Sequence, residues 1–309
     1  RTIKREGIME LLGLQRGDVD LIVGGPPCQG FSSIRPFRSD GEDDERNSLF
    51  ENYARFVHWF RPRMFVLENV VGLATYQDGA TLAAMLECFQ GLGYECDWRI
   101  LNAAHYGIPQ KRERLILIGA EKGGQVVFPK PTHACDADTI GFRDKSRMLR
   151  PADEPLLMRT KPLPRALGVM DAIGDLPPIA NGESASEYDR PHSNDFQLAR
   201  RKGAQTLTLH SSTRHTDRMM KIIRHSGPNI SSIPKHLITS GFSSCYSRLD
   251  ADEPSVTITV NFVHPASNRC IHPKLDRALT PREGARLQSF DDDFEFAGNR
   301  TQIVKQIGN

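Results

Sequence analysis

Between residues 19 and 120 the apolar positions switch back and forth between two periods. VDLIVGG (19–25) is a β-branched run closed by glycines, the pattern of a short buried strand. NSLFENYARFVHWFRP (47–62) sets Leu49, Phe50, Tyr53, Phe56, Val57 and Phe60 on one helical face, and Pro62 stops it. MFVLENV (64–70) reads as a second buried strand. TLAAMLECFQGLGY (81–94) places Leu82, Met85, Leu86, Phe89 and Leu92 on a stripe closed by glycine, a second helix. YECDWRIL and RERLILIGA are two further strands joined by the turn AAHYGIPQ. Strands alternating with helices predict an α/β fold, a mostly parallel sheet covered on both faces.

After Gly123 the pattern fades. Pro, Asp, Ser and Arg dominate to about residue 250, which predicts an irregular, loop-rich second domain with short strands at SVTITV (255–260). Order returns at LTPREGARLQSF, a helix with Thr280 as cap, Pro281 in its first position and Glu283 completing a capping box. That box reads as structural. The chain divides into 1–122, 123–278 and 279–309, the last returning toward the first domain.

Composition narrows the class. With 309 residues, 39% hydrophobic and 25% charged, the chain is a globular protein of one large or two ordinary domains. No apolar run has the length to cross a bilayer, and RTIKREGIMELL lacks the features of a signal peptide, so the expected location is cytoplasmic. Six cysteines without CxxC spacing predict neither disulfides nor a zinc site, and no metal is expected. A net charge of +2 does not by itself point to nucleic acid. The distribution does: Arg190, Arg200, Arg201, Lys202, Arg214, Arg218, Lys221 and Arg224 crowd residues 190–225, where Asp195 and Asp217 are the only acids. These cations are read as contacts to DNA phosphates.

Cys28 lies in GGPPCQGFS, among Gly, Pro and Gln that make a poor core. In a doubly wound sheet, ligands sit beyond the carboxyl ends of the strands. GGPPCQ and Glu68-Asn69-Val70 occupy two such ends, so Cys28 and Glu68 are expected to face one crevice. Strand alternation in QKRERLILIG puts Arg112 and Arg114 on one face and Glu113 on the other. A thiol, a carboxyl group and two guanidinium groups suit covalent attack on an electron-poor ring, with the carboxyl handling a proton and arginine holding an oxygen.

GGPPCQGFS, FVLENVVGL, QKRERLILIG, LTPREGARLQSF and QIGN, in this order, resemble the DNA (cytosine-5) methyltransferases of bacteria and phages. The resemblance covers about residues 19–120 and 246–309 and weakens between them. It implies a Rossmann-like, S-adenosylmethionine-dependent sheet whose N-terminal part is missing here, with a smaller, loop-rich target-recognition domain. It further implies that Cys28 adds to carbon 6 of a flipped-out cytosine, that Glu68 contacts ring nitrogen 3 and the exocyclic amine, and that Arg112 and Arg114 hold the base carbonyl and the neighbouring loop. Pro27 and Asn309 match positions bordering S-adenosylmethionine. Gln29 and Ser32 open a loop over DNA, and Arg200, Arg201, Lys202, Arg214 and Arg218 face it. The partner is double-stranded DNA, with a cognate restriction endonuclease acting on the same site, and the chain is expected to be a monomer. Arg1 to Asp18 contain no glycine loop for the cofactor, so these residues alone are expected to be inactive. The competing reading is a non-catalytic DNA-binding homologue or half of a split enzyme. The insert of roughly 120 residues and the wording around Cys28 disfavour the transfer-RNA methylating relatives. A cysteine hydrolase would want a histidine base, and His105 is only a turn residue.

Overall fold

A computed structural model of the chain describes residues 5–26, 48–135, 144–151, 162–238 and 241–309. In chain order its elements are helix α1 (Arg5–Leu12), strand β1 (Leu21–Gly24), α2 (Ser48–Phe60), β2 (Met64–Val70), α3 (Ala80–Gly91), β3 (Tyr94–Asn102), β4 (Gln110–Lys111) and β5 (Glu113–Glu121). There follow α4 (Val169–Ile173), α5 (Asp195–Arg201), α6 (Asp217–Arg224), β6 (Ser255–Val256), α7 (Pro281–Leu287) and α8 (Arg300–Gly308). Contacts divide the chain into two compact units. The first comprises Arg1–Asn102, Glu113–Pro131 and Ala137–Pro155; the second comprises Ala103–Arg112, Thr132–Asp136 and Leu156–Asn309.

The first unit is built on a four-stranded sheet in the order β1-β2-β5-β3. β1 and β2 are parallel, while β5 runs antiparallel to both of its neighbours. Three strands therefore share one direction and β5 opposes them, so the sheet is mixed rather than mostly parallel. The cause is the short link between β3 and β5, which is below the dozen or more residues that a parallel crossover requires. Phe50, Tyr53 and Val57 of α2 and Met85 and Phe89 of α3 pack on Phe65, Leu67, Leu115 and Leu117 of the sheet. The Phe65 ring lies where a side chain at Gly119 would be: a Cβ there would stand 2.1 Å from its Cε1.

α2 and α3 cover one face of this sheet. Leu21 is 51% and Val23 66% exposed on the other, which corrects the expectation of a buried first strand. β1 is an edge strand covered from one side. Leu49 likewise lies off the buried stripe of α2, which runs through Phe50, Tyr53, Ala54, Val57 and Phe60.

The second unit gathers its apolar core from α4, α7, α8 and the chain around Ile258 and Phe262. The stretch 279–309, read from sequence as a return to the first domain, contributes Leu279, Ala285, Leu287, Ile303, Val304 and Ile307 to this core. Of the expected strands at 255–260 only β6 forms, pairing in parallel with β4. Every residue of α7 is buried, including Arg282 and Arg286, which face carboxylates and carbonyls, and Glu283, which faces a guanidinium. The capping box is present: Thr280 Oγ1 accepts from Glu283 N at 3.1 Å, and Glu283 accepts from Thr280 N at 2.7 Å. Glu283 also takes a two-pronged ion pair from buried Arg277, with both contacts at 2.7 Å.

This buried cluster makes the unit sensitive to acid. Burial lowers His272 to about 4, against the pull of Glu283, and lowers His210 as well. Burial would raise Glu283, but Arg277 and the two histidines outweigh it and hold the carboxyl at about 2. Between pH 6.5 and 4 the unfolded chain then binds a proton at His272 that the folded chain refuses, so stability falls as pH falls through that window. The share of Glu283 persists above its unfolded value and is lost only as pH approaches 2. Urea unfolding at pH 7 and pH 4.5 is expected to differ by on the order of 1–3 kcal/mol. His272→Asn, whose oxygen can replace Nδ1 as acceptor for Lys274 and Leu275 N–H, should remove much of that difference and leave the part due to His210.

Candidate active site

β1 and β2 end side by side, with Gly24 opposite Leu67, so Gly25 and Glu68 meet at the carboxyl edge of the parallel pair. Strand alternation turns Phe65, Leu67 and Asn69 toward the helices and Glu68 to the opposite face. There Glu68 Oε1 pairs with Arg114 Nε at 2.7 Å, and both side chains are partly open to solvent. Arg114 arrives from β5, where it stands opposite Val70. A Cβ at Gly25 would approach Glu68 Oε2 to 3.1 Å, so glycine leaves that oxygen open. One carboxylate oxygen is thus oriented by a guanidinium while the other faces the edge. A carboxyl group so held can accept an N–H or exchange a proton with a ligand.

Two residues not singled out in the sequence fix the main chain at this edge. Asn69, buried among apolar neighbours, donates from Nδ2 to the carbonyl of Pro26 at 2.8 Å. The Tyr53 hydroxyl lies 2.9 Å from the Val66 carbonyl and 3.3 Å from that of Ile22, tying α2 to both strands. A Cβ at Gly24 would strike the Tyr53 ring at 2.6 Å. The sequence signals were an amide on the inward side of MFVLENV and a hydroxyl on an apolar helical stripe.

Cys28, Pro27, Gln29 and Ser32 lie outside the described residues. The geometry brings Glu68 and Arg114 together. The alternation invoked to place Arg112 beside Arg114 does not hold, because the chain bends at Lys111: Arg112 N bonds back to the Gln110 carbonyl at 3.0 Å, and Arg112 is in neither strand. Arg112 belongs to the second unit, where its Nη2 donates to the main-chain oxygen of Asn309 at 3.1 Å. Gln110 is fully buried there, bonded to Leu287, Gln288 and Ile258. His105 is buried beside it in sequence, with Nε2 3.3 Å from the Cys135 carbonyl.

The basic stretch separates into two groups. Arg200 pairs with Asp291 at 3.0 Å, and Arg201 pairs with buried Asp175 at 2.7 Å while lying over the Tyr188 ring. Arg190 is bidentate to Asp189. These guanidinium groups are committed to the domain's own carboxylates. Lys202, Arg214 and Arg218 are exposed and form no ion pair with any described residue. In α6, Ile222 and Ile223 are buried, and Arg218, Lys221 and Arg224 repeat along the exposed side. No group of three or more His, Cys, Asp or Glu is placed to hold a metal ion among the described residues. No helix among them is long and apolar enough to cross a membrane.

The mixed α/β sheet matches the Rossmann-like fold of the S-adenosylmethionine-dependent methyltransferases. The family model for C-5 cytosine-specific DNA methylases matches residues 3–309, and the chain belongs to this family of enzymes. Type II methyltransferase M.AgeI of Thalassovita gelatinovora is 31% identical over 369 residues, covering 100% of this chain and 83% of that protein. Type II methyltransferase M1.HphI of Haemophilus parahaemolyticus is 33% identical over 295 residues, covering 94% and 64% respectively. Among solved structures, a DNA modification methyltransferase encoded within an E. coli prophage superposes with a TM-score of 0.68 at 23% identity, over 99% of this chain and 78% of that one. That likeness concerns the fold.

Proposed function

We propose that the protein transfers a methyl group from S-adenosylmethionine to carbon 5 of cytosine within a specific sequence of double-stranded DNA. The observation that carries this reading is the Glu68–Arg114 pair beside Gly25, at the edge from which the chain leads to Cys28. The bare glycine edge and the open Glu68 oxygen fit a ligand bound beyond the strands. S-adenosylmethionine supplies an electrophilic methyl group, with Pro27 and Asn309 assigned to border it.

Carbon 5 of cytosine is a weak nucleophile until the ring loses aromaticity. Cys28 thiolate forms a bond to carbon 6, and the electrons so displaced make carbon 5 nucleophilic. Glu68 meets nitrogen 3 and the exocyclic amine, where charge changes during addition, and Arg114 holds its carboxylate in place. Arg112 is assigned to the base carbonyl. After methylation, loss of the carbon 5 proton to a base returns an electron pair to the ring, and the Cys28–carbon 6 bond breaks with thiolate as leaving group. A stacked cytosine cannot meet these groups, so the base is flipped out at a cost of about a few kcal/mol. Lys202, Arg214 and Arg218 are the remaining candidates for phosphate contacts. The type II relatives support a role in restriction–modification in the cytoplasm, opposite a cognate endonuclease.

Transfer of tritiated methyl from S-adenosylmethionine to duplex DNA by the complete protein, followed by bisulfite mapping, tests the reading. Glu68→Gln keeps the side-chain shape and is expected to lower kcat by about 10²–10³-fold, the loss of one interaction that strengthens at the transition state. A complete protein that binds DNA but yields no methylcytosine would instead be a non-catalytic homologue.

A further inference from the structure

Arg300, the first residue of α8, stands apart from the ion-paired arginines of its unit. Its Nη2 donates to the Ser211 carbonyl at 2.9 Å and lies 3.3 Å from Thr213 Oγ1; no described carboxylate pairs with it. The residue is exposed, and partial desolvation of its guanidinium lowers its pKa. A cation in the first turn of a helix also meets the positive end of the backbone dipole. By contrast Arg277, Arg282 and Arg286, on the same side of the sequence, all meet carboxylates.

The segment that receives Arg300 is pinned. Ser212 Oγ accepts from Gly182 N at 2.7 Å and donates to the Ala180 carbonyl at 2.7 Å. Asn181 bonds both the N–H and the carbonyl of His215, at 2.8 and 3.2 Å. His215 Nε2 is buried and meets no partner. His264 lies within electrostatic reach of His215, and Arg214 runs along Gly182, where a Cβ would stand 2.9 Å from its Nε. Thus the Arg300 guanidinium of α8 meets the Thr213 hydroxyl on a segment held by its own hydrogen bonds, and no described carboxylate pairs with that guanidinium.

We infer that Arg300, with Thr213 beside it, binds a phosphodiester oxygen of the DNA backbone. This rests on the reading of the protein as a DNA methyltransferase and adds a contact outside the basic stretch 190–225. A phosphate contact positions the duplex without reading its sequence.

The test is the salt dependence of duplex binding by the whole chain. For Arg300→Ala, the slope of log K against log salt is expected to become shallower by about 0.9, with specific and random duplexes weakened alike. Arg300→Lys should retain the slope, which separates lost charge from lost folding. In the unaltered protein, replacing backbone phosphates one at a time by methylphosphonates should reveal one position whose penalty disappears in Arg300→Ala. An unchanged slope in a folded Arg300→Ala protein overturns the proposal. So does protection of the unaltered protein by inorganic phosphate that Arg300→Ala abolishes without any change in DNA slope, since the site would then take a free ion. Failure of the unaltered protein to bind duplex DNA would strike at the methyltransferase reading itself.

Discussion

Cys28→Ser is expected to bind duplex DNA as the unaltered protein does and to transfer no measurable methyl group, a loss of at least ~10³-fold. The reason is chemical. A thiolate is available near neutral pH when its surroundings lower the pKa, whereas a serine hydroxyl needs a separate base to become nucleophilic. Addition to carbon 6 is the step that makes carbon 5 reactive, so no later group can compensate. A duplex carrying 5-fluorocytosine gives a second readout. Carbon 5 then has no proton to lose, thiolate cannot be expelled, and the unaltered protein should remain covalently attached while Cys28→Ser does not. Methyl transfer retained by Cys28→Ser would remove Cys28 as the nucleophile; lost binding would mean that the loop was disturbed instead.

The largest effect on stability is expected at Arg286. Its guanidinium is fully buried, with Nε and Nη2 on Asp292 at 2.6 and 2.5 Å and Nη1 on Asp175 at 3.1 Å and the Ala172 carbonyl at 2.9 Å. The carboxylates are shared: Asp292 also accepts from the Tyr188 hydroxyl at 2.6 Å, and Asp175 from Arg201 at 2.7 Å. Arg286→Ala leaves Asp292 with Tyr188 and Arg282 and Asp175 with Arg201, but removes the guanidinium that joins the two buried acids, and removing one partner of a buried pair costs about 3–5 kcal/mol. Domains are stable by only about 5–15 kcal/mol. The second unit should therefore unfold at a urea midpoint lower by at least ~1 M. Arg286→Lys keeps one charge but cannot span both acids, and should fall between the two. Equal midpoints for Arg286→Ala and the unaltered chain would show that the network contributes nothing net.

The helices and strands of residues 19–120 were legible because burial repeats at their periods. Phe50, Tyr53 and Val57 on α2 and Phe65 and Leu67 on β2 fill one core in the pattern their spacing predicts. So was the box of Thr280 and Glu283, since a cap is completed within three residues. Glu68 stood out by its place in LENV, and Arg114 by its place in the strand that follows. The reach of Asn69 to Pro26, across 43 positions, left only an oddly placed amide as its signal.

Elsewhere local pattern and final structure part company. Arg200 and Arg201 look like free cations in a basic run, but their partners Asp291 and Asp175 lie far away in sequence or on another element, and charge alone does not say which cations are taken. Arg112 seemed to share a strand face with Arg114 until the bend at Lys111 broke the alternation. By itself, the order of motifs determined the family, the strand edge and the chemistry to expect there, because each is written in contiguous residues. Only the tertiary structure decided the direction of β5, the exposed face of β1 and which arginines are spent within the fold. Those depend on which distant groups come within hydrogen-bonding distance, and a charge buried away from water must find its partner wherever the chain has placed one.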